Sequence, residues 1–226
     1  MCNREYTLKR SNRKTVALYV RDGALEVRAP MRMPKADIDL FIASKEKWIA
    51  DKLGKSIEQM ARRESFTLNY GDKVILRGKE YPIAAKDGGR IGFDEECFYM
   101  PPGLTPEQIK HACVRIYRLT AKRRLTERTL FFAGRMSAQP SAIRISGAKT
   151  RWGSCSAKKS INYSWRLIMA DDDVIDYVVV HELAHLTEMN HSKRFWAIVE
   201  GILPDCKRQR ARLKDLQSRI GGENWE

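Results

Sequence analysis

The stretch on which the reading of this chain turns is Val178-Val179-Val180-His181-Glu182-Leu183-Ala184-His185-Leu186-Thr187-Glu188-Met189-Asn190-His191. His181 and His185 stand four residues apart, one helical turn, so both imidazoles can reach a single metal ion from one face. Glu182 sits beside them, able to touch a metal-bound water. Random ordering of this composition would give the pattern about once in three hundred chains. A functional reading therefore outweighs the bland one, in which two histidines hydrogen-bond to carbonyls on a partly buried helix face.

A third histidine, His191, follows six residues after His185, past a helix end expected near Asn190, a residue type that tolerates the left-handed conformation needed to turn the chain back. The spacing matches the long zincin signature, except that Glu188 stands where that signature has glycine. Glu200, on the following helix, is the competing third ligand; His191 is preferred because imidazole suits zinc and the turn can place it. Three neutral ligands leave zinc its charge and one open position, which activates a bound water and polarises a scissile carbonyl. Glu182 would act as general base and pass the proton to the leaving amine. Tyr163, Tyr177 and Arg151 are candidate oxyanion donors, each with an ordinary structural role as its alternative. Cys155 reads as a buried free thiol, and as a fourth ligand it would close the site and make the metal structural.

Outward from this segment, Asp171, Asp172 and Asp173 place negative charge at the positive end of a helix expected from about Val174 to Met189. Strands are expected at Ala142 to Ser146 and Ile161 to Met169, and further helices near Ser192 and Asp205. Thr105, Pro106 and Gln108 form a capping box that opens a helix running towards Gly134, with Ile109, Cys113, Ile116 and Leu119 as its apolar stripe. Pro101-Pro102-Gly103 breaks helix and strand alike and is the expected domain boundary.

The first half reads as strands around one helix. Asp22-Gly23 is a hairpin turn that would pair Val20 with Leu25 and Leu18 with Val27. Apolar residues from Ile38 to Met60 recur near the helical period, with Gly54 as the weak point. From Phe66 to Met100, short apolar pieces beginning with Leu68 to Tyr70, separated by Gly71-Asp72, Gly78-Lys79 and Gly88-Gly89, suggest an antiparallel meander.

The chain has 226 residues, 43% hydrophobic and 31% charged, which excludes disorder and a small disulfide scaffold. Its five cysteines are scattered with no C-x-x-C pair, against a zinc ribbon. No apolar run spans a membrane and the first residues are polar, so a cytoplasmic protein is expected. The net charge of +14 raises a polyanionic partner. Arg115, Arg118, Arg123, Arg124, Lys207, Arg208 and Arg210 are candidates for a phosphate-tracking patch, and a solvated surface with only weak nucleic-acid binding is the expected outcome.

Two segments carry a family resemblance. One is His181 to Trp196, H-E-L-A-H-L-T-E-M-N-H-S-K-R-F-W; the other is Arg151-Trp152-Gly153-Ser154-Cys155-Ser156 followed by Ile161-Asn162-Tyr163-Ser164-Trp165-Arg166-Leu167. In combination they resemble the YgjP-like metal-dependent hydrolases, related to SprT-like and WLM metallopeptidases. The resemblance implies a zincin-like catalytic domain with His181, His185 and His191 as ligands of Zn2+, Glu182 as general base, and a peptide or protein substrate. It also implies that Trp152, Gly153, Ser154 and Cys155 border the cleft and bind substrate by adding an extended peptide to an edge strand.

The architecture expected is α+β: a strand-rich N-terminal region with one long helix over residues 1–103, then a small zincin-like domain over 104–226. Zinc-dependent hydrolysis, of peptide bonds first, is the function expected. The alternatives are a basic nucleic-acid-binding module with a structural zinc and a hydrolase of a non-peptide amide.

Overall fold

Three strands open the fold: β1 (Thr7–Ser11), β2 (Ala17–Arg21) and β3 (Ala24–Pro30). The Asp22-Gly23 turn, both residues at positive φ, sets the anticipated register, Val20 opposite Leu25 and Leu18 opposite Val27. β1 carries no sequence signal because four of its five residues are exposed, yet it lies parallel to β3 and places that strand in the middle of the sheet. Leu25, Val27 and Ala29 on the inner face of β3 share a core with Ile38 and Ile49.

Those last two residues belong to separate helices, α1 (Lys35–Ser44) and α2 (Glu46–Glu64), where the apolar period suggested one. The break is at Lys45, whose N–H turns back to Ile42 O at 3.0 Å, and Gly54 lies within α2 without interrupting it.

The structure, a computed structural model, describes residues 5–225. It divides into two compact units, one ending at Phe66 and joined by residues 221–224, the other spanning Thr67–Ile220 with Trp225. The second unit begins with β4 (Lys73–Leu76), β5 (Lys79–Ala85), β6 (Gly92–Phe93) and β7 (Phe98–Met100), in the order β4-β5-β7-β6. This is not the all-antiparallel meander expected. β6 and β7 form a hairpin, which returns the chain parallel to β5, and the stretch from Leu68 to Tyr70 joins no strand.

α3 (Pro106–Arg135) starts at the predicted capping box, with both reciprocal bonds made. Ile109, Cys113 and Ile116 are buried as expected, but Leu119 is exposed; the buried stripe continues instead through Ala121, Leu125 and Phe132. Tyr117 of α3 packs against Phe98 with ring centroids 5.2 Å apart and planes tilted by 60°, and donates its hydroxyl to Ile75 O at 2.7 Å. The β4–β7 sheet therefore shares a core with α3, and the turn at Pro101-Pro102-Gly103 falls inside one unit where a domain boundary was expected.

β8 (Ala142–Ser146), β9 (Gly153–Cys155) and β10 (Ser160–Ser164) follow, in the order β8-β10-β9. The strand expected over Ile161 to Met169 ends at Ser164, whose hydroxyl caps a 3-10 turn, Trp165–Met169. The chain then enters α4 (Asp172–Ala184), α5 (Lys193–Ile202) and α6 (Cys206–Ile220). Among the described residues no helix is long and apolar enough to cross a membrane. Cys97, Cys113, Cys155 and Cys206 are free thiols, and Cys2 lies outside the described residues.

The β4–β5 hairpin tip fixes the approach to α4. Arg77 N–H donates to Ile168 O at 2.8 Å and Gly78 N–H to Met169 O at 3.0 Å. Gly78 takes φ +76°, and a Cβ there would collide with the Asp171 carboxylate. Gly78→Ala should cost about 2 kcal/mol and lower Tm by roughly 4–8 °C. A thermal melt checks this, and an unchanged Tm would mean that the tip is not fixed against α4.

Candidate metal centre

α4 presents its acidic end first. Asp171 is the N-cap residue, and Asp172 and Asp173 lie in the first turn. The helix stops at Ala184, earlier than Met189 as expected, because Leu186 N–H and Thr187 N–H turn back to Leu183 O and Ala184 O. His185 is the C-cap residue but keeps helical φ and ψ, so it remains one turn above His181, their rings 5.0 Å apart. Asn190 is not among the residues at positive φ, so the left-handed turn expected there does not form. Ser192 instead caps α5 by accepting from Phe195 N–H at 3.3 Å, and this sets His191 immediately before the helix.

These turns bring His181, His185 and His191 together, with one donor atom from each within 4.8 Å of the others. His181 Nε2 and His191 Nε2 face one another at 3.0 Å. Two such nitrogens on a tetrahedral zinc would sit roughly 3.3 Å apart, given Zn–N bonds of about 2.0–2.1 Å, so the donor set fits a divalent metal. His185 Nδ1 lies 3.0 Å from Glu188 O, which fixes Nδ1 as the donor and leaves Nε2 as a lone-pair nitrogen. Phe195 is fully buried beneath all three rings, at 4.9, 4.6 and 4.8 Å. Burial, assisted by the neighbouring imidazoles and Arg210, pushes the His181 pKa down to about 3; burial also lowers that of His185. Both rings are thus held in the neutral form that binds metal.

Glu182, next to His181 on α4, is 5% exposed, and its Oε2 has no hydrogen-bond partner. Burial raises its pKa to about 7, against the pull of Arg151. The carboxylate rests on the backbone of β9: a Cβ on Gly153 would lie 2.5 Å from Glu182 Oε1 and 2.8 Å from Cδ. Only glycine leaves this space. β9 pairs antiparallel with β10, Gly153 opposite Tyr163 and Ser154 opposite Asn162, and its other edge has no strand neighbour among the described residues. Trp152, Gly153, Ser154 and Cys155 are all partly buried along this edge.

The remaining candidates separate. Glu200 is outside the histidine cluster and pairs at 3.7 Å with Lys207. Cys155 is also outside it; Cys155 Sγ lies 3.6 Å from Ser156 O. Tyr163 is fully buried, with its hydroxyl 3.1 Å from Thr129 Oγ1, a structural role. Tyr177 packs against His181 with centroids 5.9 Å apart, and Arg151 is exposed. Of the basic candidates, Arg124 is committed to Asp172 at 3.2 Å and Glu127 at 2.9 Å, whereas Arg115, Arg118, Arg123 and Arg208 are exposed. Sequence reasoning assigned no role to Phe195 or Trp196 and none at the centre to Arg210. Their signal is weak, since an aromatic pair at the start of an amphipathic helix reads as ordinary core.

Two solved structures resemble part of the chain. The crystal structure of the metallopeptidase zymogen of Pyrococcus abyssi abylysin is 24% identical, covering 40% of this chain and 92% of its own, with a TM-score of 0.38. That of Methanocaldococcus jannaschii jannalysin is 18% identical, covering 40% and 94%, with a TM-score of 0.37. No curated protein sequence matches. The family model for the YgjP-like metallopeptidase domain matches residues 14–216, a span that takes in the three histidines, Glu182 and the β9 edge. By that match the chain belongs to the YgjP-like metallopeptidase family and is a peptidase-type hydrolase.

Proposed function

We propose that the protein is a zinc metallopeptidase in which His181, His185 and His191 hold the metal and Glu182 is the general base. The observation that carries this reading is the convergence of three imidazole donors within 4.8 Å beside a buried carboxylate that has an oxygen without a partner. Zinc, when bound, supplies a Lewis acid that polarises a carbonyl and acidifies water. Glu182 accepts a proton at its carboxylate and returns it to the leaving amine, a role helped by a pKa near neutrality. An extended peptide would pair with the backbone of Gly153, Ser154 and Cys155 along the open edge of β9, held by main-chain hydrogen bonds that are indifferent to sequence. A cytoplasmic setting belongs to the same reading, and the basic surface is assigned at most weak, sequence-independent nucleic-acid binding.

Metal content and cleavage of a peptide library, measured on one sample, test the proposal. Roughly one zinc per chain with metal-dependent cleavage is expected. Metal that binds without any cleavage of peptides would turn the reading towards a structural site or a different amide substrate.

His191→Ala should abolish high-affinity zinc binding while Glu200→Ala retains it; competition with a chromogenic chelator reads both. The reverse pattern would move the third ligand to α5.

Glu182→Gln should keep zinc and Tm while hydrolysis falls by roughly 10² or more. Normal turnover by this variant would remove Glu182 as the base.

Gly153→Ala should also keep zinc, since β9 contributes no histidine, yet lower hydrolysis by about 10² through displacement of the Glu182 carboxylate. Steady-state kinetics with zinc quantified in parallel check this, and full activity would show that Glu182 does not depend on the β9 backbone.

A further inference from the structure

A cavity of about 540 Å³ opens beside His191, with no residue of β9 in its lining. His191, Lys193, Trp196, Glu200, Lys207 and Arg210 line it, so one wall is a residue of the metal cluster and the rest comes from α5 and α6. Its charge is unbalanced. Glu200 and Lys207 offset one another at 3.7 Å, whereas Lys193 and Arg210 have no carboxylate partner among the described residues.

Arg210 is also oriented. Its guanidinium sits 5.5 Å from the Trp196 ring centroid, and Trp196 in turn lies nearly parallel to His191, 27° between planes and 6.0 Å between centroids. An arginine held against an aromatic face keeps its fork of donors pre-arranged for a planar anion. Trp196 thus spans the distance between that fork and the metal cluster with one indole. It offers apolar surface to whatever stem joins an anionic head to the reacting bond.

We propose that this cavity is a carboxylate-recognition subsite of the metallopeptidase centre, with Arg210 as its specificity-determining residue. The inference rests on the reading of the centre as a peptidase site. With Glu200 offset by Lys207, Lys193 and Arg210 leave the lining cationic and suited to an anionic group, and the anionic groups that a peptide substrate brings are carboxylates. The carboxylate has two sources in a peptide, an Asp or Glu side chain or the chain terminus. A side chain would make the enzyme prefer acidic residues near the scissile bond, and a terminus would make it trim peptides from their C-terminal end.

Peptide binding separates these without relying on turnover. Three fluorescein-labelled peptides are titrated by anisotropy against zinc-loaded Glu182→Gln protein: one amidated with a single Glu, the same with Gln, and the Gln peptide with a free C-terminal carboxylate. One carboxylate form should bind roughly tenfold more tightly than the neutral peptide, and the form that gains identifies the source. Adding Arg210→Ala should reduce the discrimination to about twofold or less while the neutral peptide binds as before, and Arg210→Lys should fall between, since it keeps charge but loses the fork. Equal affinity for all three peptides, discrimination that survives Arg210→Ala, or no measurable binding of any would overturn the proposal. Failure of the peptidase reading itself would appear elsewhere, as metal-loaded wild-type protein that cleaves no peptide.

Discussion

Four carboxylates, Asp171, Asp172, Asp173 and Asp176, crowd the N-terminal end of α4, where the helix dipole favours them individually but they repel one another. Arginines from three directions resolve the conflict. Arg77 reaches Asp172 from the β4–β5 hairpin, its Nε at 3.0 Å; Arg124 approaches the same residue from α3 at 3.2 Å; Arg212 of α6 meets Asp171 at 2.6 Å. Arg128 grips Asp176 with two parallel bonds of 2.6 and 2.7 Å, both side chains largely buried. Burial works against ionisation of Asp172, yet Arg77 and Arg124 outweigh it and hold its pKa below the ordinary range. The helix that carries His181 and Glu182, with His185 at its end, is thereby fixed against the β4–β5 hairpin, α3 and α6. An error in its rotation would move His181 and Glu182 together.

The same arrangement changes the meaning of the overall charge. A formal +14 suggests a surface built for polyanions, but Arg77, Arg124, Arg128 and Arg212 are spent on internal carboxylates. Among the cations that remain, Arg210 lies over Trp196 beside the histidine cluster. Charge here is first an architectural material and only then a surface property.

Local signals were legible in the sequence where they were strong. The Asp22-Gly23 hairpin register, the Thr105 capping box and the one-turn spacing that brings His181 and His185 together all follow from short-range geometry and appear in the structure. Features set by tertiary packing were not legible. β1 has no apolar alternation to announce it; β5 and β7 become parallel because the β6–β7 hairpin reverses the chain between them; Ser164 ends β10 by capping a 3-10 turn. At the site, the histidines could be read from spacing, whereas the contact between Gly153 and Glu182 joins residues 29 positions apart and no periodicity encodes it. Phe195 and Arg210 gain their meaning only once α5 and α6 are packed against α4.

The partner of His185 Nδ1 is the main-chain oxygen of residue 188. A carbonyl is present whatever side chain follows it, so the tautomer of this imidazole is uncoupled from the identity of the residue that orients it. The turn itself is made by backward bonds to Leu183 and Ala184 with φ negative at 188, which removes the need for glycine there. Position 188 therefore accepts side chains other than glycine without loss of the hydrogen bond behind the imidazole.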